Sequence, residues 1–179
     1  MKKFALVLIA IAVVSTAAVA GDMAKSGQWG IQTAIGVASS TSNIIVSSLG
    51  VKFMASENLA IRIEAGFASY SPGGSGSSTS GYQFGAGFEY HMTAVGGVSP
   101  YVGLGAGYNG VSVGGAASNP SNFNVLGFWG GEYFFSSNFS WAGQIGLGFA
   151  SFSSGVSGAP TASVIGTTSL ATTLTWYMN

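Results

Sequence analysis

The chain of 179 residues has no cysteine, which excludes disulfide frameworks, thiol nucleophiles and Cys-based zinc sites. Charge is nearly as scarce. Lys, Arg, Asp and Glu together make up 6% of the residues, against roughly 25% in an ordinary soluble domain. So few charges do not build a normal water-facing surface. Five cations balance five anions, so there is no basic footprint for nucleic acid. A single histidine leaves little material for a metal centre. What the chain does have is 47% hydrophobic and 13% aromatic residues together with 29 glycines, a composition opposite to that of disordered segments. It folds, and its length suits one domain.

The N-terminus reads as a targeting segment. Met1, Lys2 and Lys3 form a positive start, residues 4–14 are apolar, and Ala18-Val19-Ala20 is a small-x-small cleavage site. This pattern predicts a cleavable signal peptide over 1–20 and one barrel domain over 21–179. The apolar run is shorter than the roughly 20 residues that a spanning helix needs. Without cysteine no lipid anchor is possible. The exported part carries the cations Lys25, Lys52 and Arg62 and the anions Asp22, Glu57, Glu64, Glu89 and Glu132, a net of −2.

From Trp29 onward large residues recur at every second place, the period of a strand: Trp29, Ile31, Thr33, Ile35, Val37. The alternation returns at Leu49–Phe53, Leu59–Phe67, Tyr82–Tyr90, Val102–Tyr108, Trp141–Phe149 and Leu170–Trp176, with a less regular segment before Trp141. The opposing face reads as small or polar. Eight strands are predicted, over 28–38, 44–54, 59–70, 81–92, 101–111, 123–135, 139–152 and 165–177. Their lengths match or slightly exceed the 9 to 11 residues with which a tilted strand crosses a hydrocarbon core. Connections 55–58 and 136–138 are tight and polar, whereas 71–80, 112–122 and 153–164 are long and rich in Gly and Ser. Short turns at one end and long loops at the other describe an up-and-down barrel. Connections 39–43 and 93–100 depart from this rule in length without changing the strand count.

The charge shortage decides which face looks outward. In a soluble lipocalin-like ligand-binding barrel, the alternative fold, Gly, Ala, Ser and Gln would form a wet exterior unusually poor in charge. In a transmembrane barrel the large residues meet acyl chains and the small ones line the interior. Closure follows, because lipid cannot satisfy an open sheet edge. The predicted fold is therefore an all-β, eight-stranded antiparallel up-and-down transmembrane β-barrel. Trp29, Tyr90, Tyr133, Trp141 and Trp176 fall on the outward face near strand ends on the short-turn side, as an interfacial aromatic girdle would.

Lys52, Arg62, Glu64, Glu89, His91 and Glu132 fall on inward positions, most of them close to the short-turn end. Unpaired charge inside a narrow barrel is costly, so these six are expected to form a hydrogen-bonded ion-pair network. The network reads either as a plug or as a gate or cation-selective constriction. A plug is expected, since eight strands leave an interior just wide enough for side chains. Inward glycines, among them Gly85, Gly87, Gly103, Gly105 and Gly107, either leave the upper lumen emptier or accept neighbouring rings.

Catalysis has little support. His91 lies two residues from Glu89 on one strand face, which serves a network but lacks the further partners of a nucleophilic triad. The run Gly103-Leu104-Gly105-Ala106-Gly107 has no helix after it, so it is not a phosphate loop. No catalytic residue, cofactor or metal is expected.

The segment from Val51 to Glu64, with Lys52, Glu57-Asn58 and Arg62, resembles a periplasmic hairpin of small Gram-negative outer-membrane barrels. Residues 99–108 (Ser-Pro-Tyr-Val-Gly-Leu-Gly-Ala-Gly-Tyr) and Gly131-Glu132-Tyr133-Phe134 are similar to such barrels too. The broad group is the OmpA/OmpX-like porin-family superfamily. The resemblance implies an outer-membrane location, both termini in the periplasm, and insertion by the barrel assembly machinery. That machinery reads a last strand with alternating apolar residues; Leu174 and Trp176 fit, while the final Asn179 departs from the usual aromatic end. The group shares a scaffold more than an activity, so no site residues transfer. The expected protein is a non-enzymatic monomer in outer-membrane lipid, with an envelope or surface-contact role and a largely plugged lumen. The alternative is a narrow pore or transporter for small polar or apolar solutes. The loops show no anchor for a particular surface partner.

Overall fold

The computed structural model describes residues 24–36, 48–73, 76–116, 118–167 and 171–178. The predicted signal peptide lies outside the described residues, as do Val37, the short connection 39–43, Leu170 and Asn179. Strands β1 (Trp29–Gly36), β2 (Ser48–Met54), β3 (Leu59–Tyr70), β4 (Thr79–His91) and β5 (Val98–Val113) follow in chain order. They continue with β6 (Ser121–Ser136), β7 (Phe139–Ser153), β8 (Ala162–Thr167) and β9 (Ala171–Met178). Each pairs antiparallel with the next from β1 to β7, and β8 and β9 both pair with β7 as two pieces of one stave. The β9–β1 ladder, from Trp29↔Met178 to Gly36↔Ala171, closes the sheet. The result is a closed barrel of eight staves. Strands β5 and β6, at 16 residues each, reach farther toward the long-loop end than the alternation predicts.

Two short turns use one device. Ser56 Oγ accepts from the backbone N–H of Asn58 and of Leu59, at 3.3 and 3.1 Å. The Asn58 side chain then donates to the His91 carbonyl at 2.8 Å. In the other turn Ser136 Oγ accepts from Asn138 N–H at 3.3 Å, and the Asn138 amide donates to the Tyr177 carbonyl at 3.0 Å. Short polar side chains thus satisfy turn backbone and tie each turn to the strand beside it. The β4–β5 connection bends at Gly96 and Gly97, whose φ values of 59° and 79° favour glycine.

The large alternating residues point out: Ile31, Leu49, Ile63, Phe67, Phe84, Phe88, Leu104 and Leu147 are all exposed. Trp29, Tyr90, Trp141 and Trp176 lie exposed at the short-turn end. Tyr133 departs from the expected girdle. It faces outward but is only 8% exposed, covered by the edge of the Phe135 ring at 4.9 Å and flanked by its cross-strand neighbours Val98 and Trp141. A second aromatic group, which the sequence analysis did not name, sits toward the long loops: Phe67 beside Tyr82, and Tyr108 beside Phe123. The Tyr82 and Tyr108 rings lie 6.1 Å apart. The opposing face is not uniformly small or polar. Met54, Tyr101, Phe128, Phe134 and Tyr177 are buried within the barrel, because the short-turn end needs bulk to fill the lumen.

Candidate functional site: the lumen plug

The lower lumen is filled in layers. Ala24, just before β1, packs with Met54, Ala60, Phe134 and Tyr177 as an apolar floor at the short-turn end. Phe134 and Tyr177 stack with ring centres 6.0 Å apart.

Above the floor lies the ionic layer. Alternation aims Lys52 from β2, Arg62 from β3, Glu89 and His91 from β4, and Glu132 from β6 at the axis. The Lys52 ammonium stands 2.6 Å from Glu89 Oε2 and 2.7 Å from Glu132 Oε2. Arg62 Nη1 donates to Glu89 Oε1 at 2.9 Å and to Gln144 Oε1 at 2.8 Å. Glu132 Oε1 accepts from Tyr177 Oη at 2.8 Å and from Ser140 Oγ. His91 Nε2 lies 3.1 Å from Glu89 Oε2, and its Nδ1 lies 3.0 Å from Ser99 Oγ. Each carboxylate oxygen of Glu89 and Glu132 therefore has a partner, the condition under which buried charge is tolerated. Lys52, Glu89, His91, Ser99, Glu132 and Ser140 are all at most 1% exposed.

An aromatic layer covers the ions. Tyr101 and Phe128 meet edge to face with centroids 6.2 Å apart and pack on Ala142, with Leu126 above. The Arg62 guanidinium carbon lies 4.4 Å from the Phe128 ring centre, and Lys52 Nζ lies 5.8 Å from that of Tyr101, both within cation–π reach. Gly103 makes this layer possible, since a Cβ there would run into the Phe128 ring.

Glu64 stands apart from the other five charged or imidazole groups. It is half-buried, accepts from Ser48 Oγ at 3.2 Å, and makes no salt bridge among the described residues. It lines a cavity of about 120 Å³ above the aromatic layer, with Gln83, Asn109 and Asn124. Sequence reading missed Ser99, Ser140, Gln144, Tyr101 and Tyr177 as members of the plug. Strand parity puts each on the inner face, which was the available signal, but parity does not say which inward residues meet.

The chemistry open to the plug is limited by its own bonds. Glu89, His91 and Glu132 bring one ligand atom each within 4.8 Å, but the Lys52 ammonium bonds both carboxylates and supplies the cation there. Ser99, His91 and Glu89 follow one another as in a nucleophile relay. Ser99 is wholly buried, however, and its hydroxyl donates to the Met92 carbonyl at 3.3 Å, so the line joins the ends of β4 and β5.

No protein-family profile and no curated protein matches the sequence. Solved structures do match. The outer membrane protein OprG from Pseudomonas aeruginosa is 12% identical with a TM-score of 0.50, the match covering 87% of this chain and 96% of that one. This chain has the fold of the small eight-stranded outer-membrane β-barrels. The N-terminal β-barrel domain of Pseudomonas aeruginosa OprF is 13% identical (TM-score 0.47; 87% of this chain, 100% of that one). Neisserial surface protein A is 15% identical (TM-score 0.40; 84% and 90%). Within this outer-membrane barrel fold, the layered plug occupies the short-turn half of the lumen.

Proposed function

We propose that the protein is an integral outer-membrane barrel with a closed lumen, serving envelope structure or surface contact and neither transport nor catalysis. The carrying observation is the ionic layer, in which Lys52 bridges Glu89 and Glu132 between an apolar floor and an aromatic cover. Eight strands leave a lumen that side chains can fill, and here they fill its short-turn half.

The outer surface supports the membrane reading. Along β4 the outward rings Tyr82 and Tyr90 are eight residues apart, about 27 Å of strand at ~3.4 Å per residue. A tilt of about 40° brings that to roughly 21 Å, close to the ~25 Å apolar band of outer-membrane barrels. The long loops carry no charged residue, so contact through them would be by hydrogen bonds and shape. Lipid is then the main partner, and the chain acts as a monomer inserted by the barrel assembly machinery.

Ion conductance of the folded chain in a planar bilayer tests the proposal. A demonstrably inserted barrel that stays electrically silent is the expected result. Reproducible unitary channels would replace the plug with the narrow-pore alternative.

A further inference from the structure

The charged groups of the lumen are not spread evenly: one inward carboxylate stands away from both inward cations. The inward cations Lys52 and Arg62 and the His91 imidazole all gather on Glu89 and Glu132, and a third inward carboxylate, Glu64, is left out of the cluster. Both cations contact Glu89, and Lys52 also contacts Glu132. Glu64 contacts neither cation within salt-bridge distance. Its Oε2 accepts from Ser48 Oγ at 3.2 Å. Its Oε1 looks across at Gly85, where a Cβ would stand only 2.9 Å from it. Glu64 thus stands, without a cation beside it, in the wall of a chamber of about 120 Å³ that the described residues leave partly open.

Above its floor the chamber's polar side chains include three amides that can accept from a donor. Gln83, Asn109 and Asn124 present side-chain amides, and Gly105 and Gly107 keep the space clear. The floor is Arg62 and Leu126. Arg62 is turned down onto Glu89, Gln144 and the Phe128 ring, so its charge is already engaged. One carboxylate among neutral amides is too little negative charge for a dedicated divalent-ion cage. It does suit a group with one positive charge and three N–H donors.

We propose that the upper lumen is a blind binding site for the ammonium group of a small primary amine, entered from the long-loop end. Glu64 takes the charge, and the amide oxygens of Gln83, Asn109 and Asn124 take the remaining donors. The plug below stops the amine from passing, so the barrel binds without conducting. The inference goes beyond the closed-barrel reading, because conductance tests the plug and leaves the chamber untouched.

The test is an NMR titration of the ¹⁵N-labelled folded chain in detergent micelles with methylammonium chloride. Tetramethylammonium chloride and sodium acetate serve as separate titrants at matched ionic strength. Saturable shifts of the Gln83, Asn109 and Asn124 side-chain amide signals are expected with methylammonium alone. Glu64→Gln keeps the shape and removes the charge, and is expected to weaken binding by about tenfold or more. Gln83→Leu keeps the carboxylate and removes one amide; it is expected to weaken binding by roughly fivefold, the worth of one hydrogen bond, and carries the test if Glu64→Gln does not fold. Absence of saturable shifts, an equal response to tetramethylammonium, a response to acetate instead, or unchanged binding in the variants overturns the proposal.

Discussion

Lys52 and Glu132, 80 residues apart and on strands that do not touch, meet at 2.7 Å across the lumen. β2 and β6 share no ladder, so this ion pair braces opposite walls of the barrel. The same ammonium lies 2.6 Å from Glu89 on β4, and one side chain thereby links three staves.

Replacing Lys52 by Met leaves the buried Glu132 carboxylate without its cation and Glu89 with Arg62 as its remaining cation. Uncompensated buried charge of this kind costs about 3–5 kcal/mol, so a large fall in the urea midpoint is expected for the barrel unfolding from micelles. Adding Glu132→Gln removes the charge left without a cation and should restore a substantial part of the loss. A single variant as stable as the parent would mean that the ion pair braces nothing.

Arg62→Ala removes the guanidinium that ties Glu89 to Gln144 and covers the Phe128 face. The expected outcome is a looser plug, read as intermittent conductance in a planar bilayer or as a lower unfolding midpoint. No change in either measurement contradicts the layered description.

Gly103→Ala drives a methyl group into the Phe128 ring. Overpacking of this kind costs about 1–3 kcal/mol, measurable by denaturant titration. Gly143→Ala is the control: nothing lies within 4 Å of a Cβ there, and a change within about 0.5 kcal/mol is expected.

Trp29, Trp141 and Trp176 are exposed at one end of the barrel and should sit at one membrane interface. Lipids brominated at graded depths are expected to quench their fluorescence most strongly from positions near the headgroups. Quenching that peaks at the bilayer centre, or is absent, would disprove the inward and outward assignment of the strands.

Among the described residues, strands β3 to β7 begin and end within about three residues of their sequence-read limits, a tolerance ordinary for strand ends. Alternation made them legible: a period of two fixes which side chains share a face, and charge scarcity said that the large ones look outward. The same parity put Lys52, Arg62, Glu64, Glu89, His91 and Glu132 on the inner face. Parity placed Tyr133 on the outer face, where it lies, but did not show that outward neighbours cover it, and the inner face read as small or polar is filled by Tyr101, Phe128, Phe134 and Tyr177 at the short-turn end.

What the sequence determined by itself was therefore local: strands, faces, turns, and a surface that water would not suit. Only the tertiary structure decided which inward groups meet. The height of each side chain along the axis depends on the stagger of every ladder around the closed sheet, and no single strand contains that information. That stagger sets Lys52 level with Glu89 and Glu132, brings Ser99, Ser140 and Tyr177 to the same layer, and leaves Glu64 above it without a counter-charge.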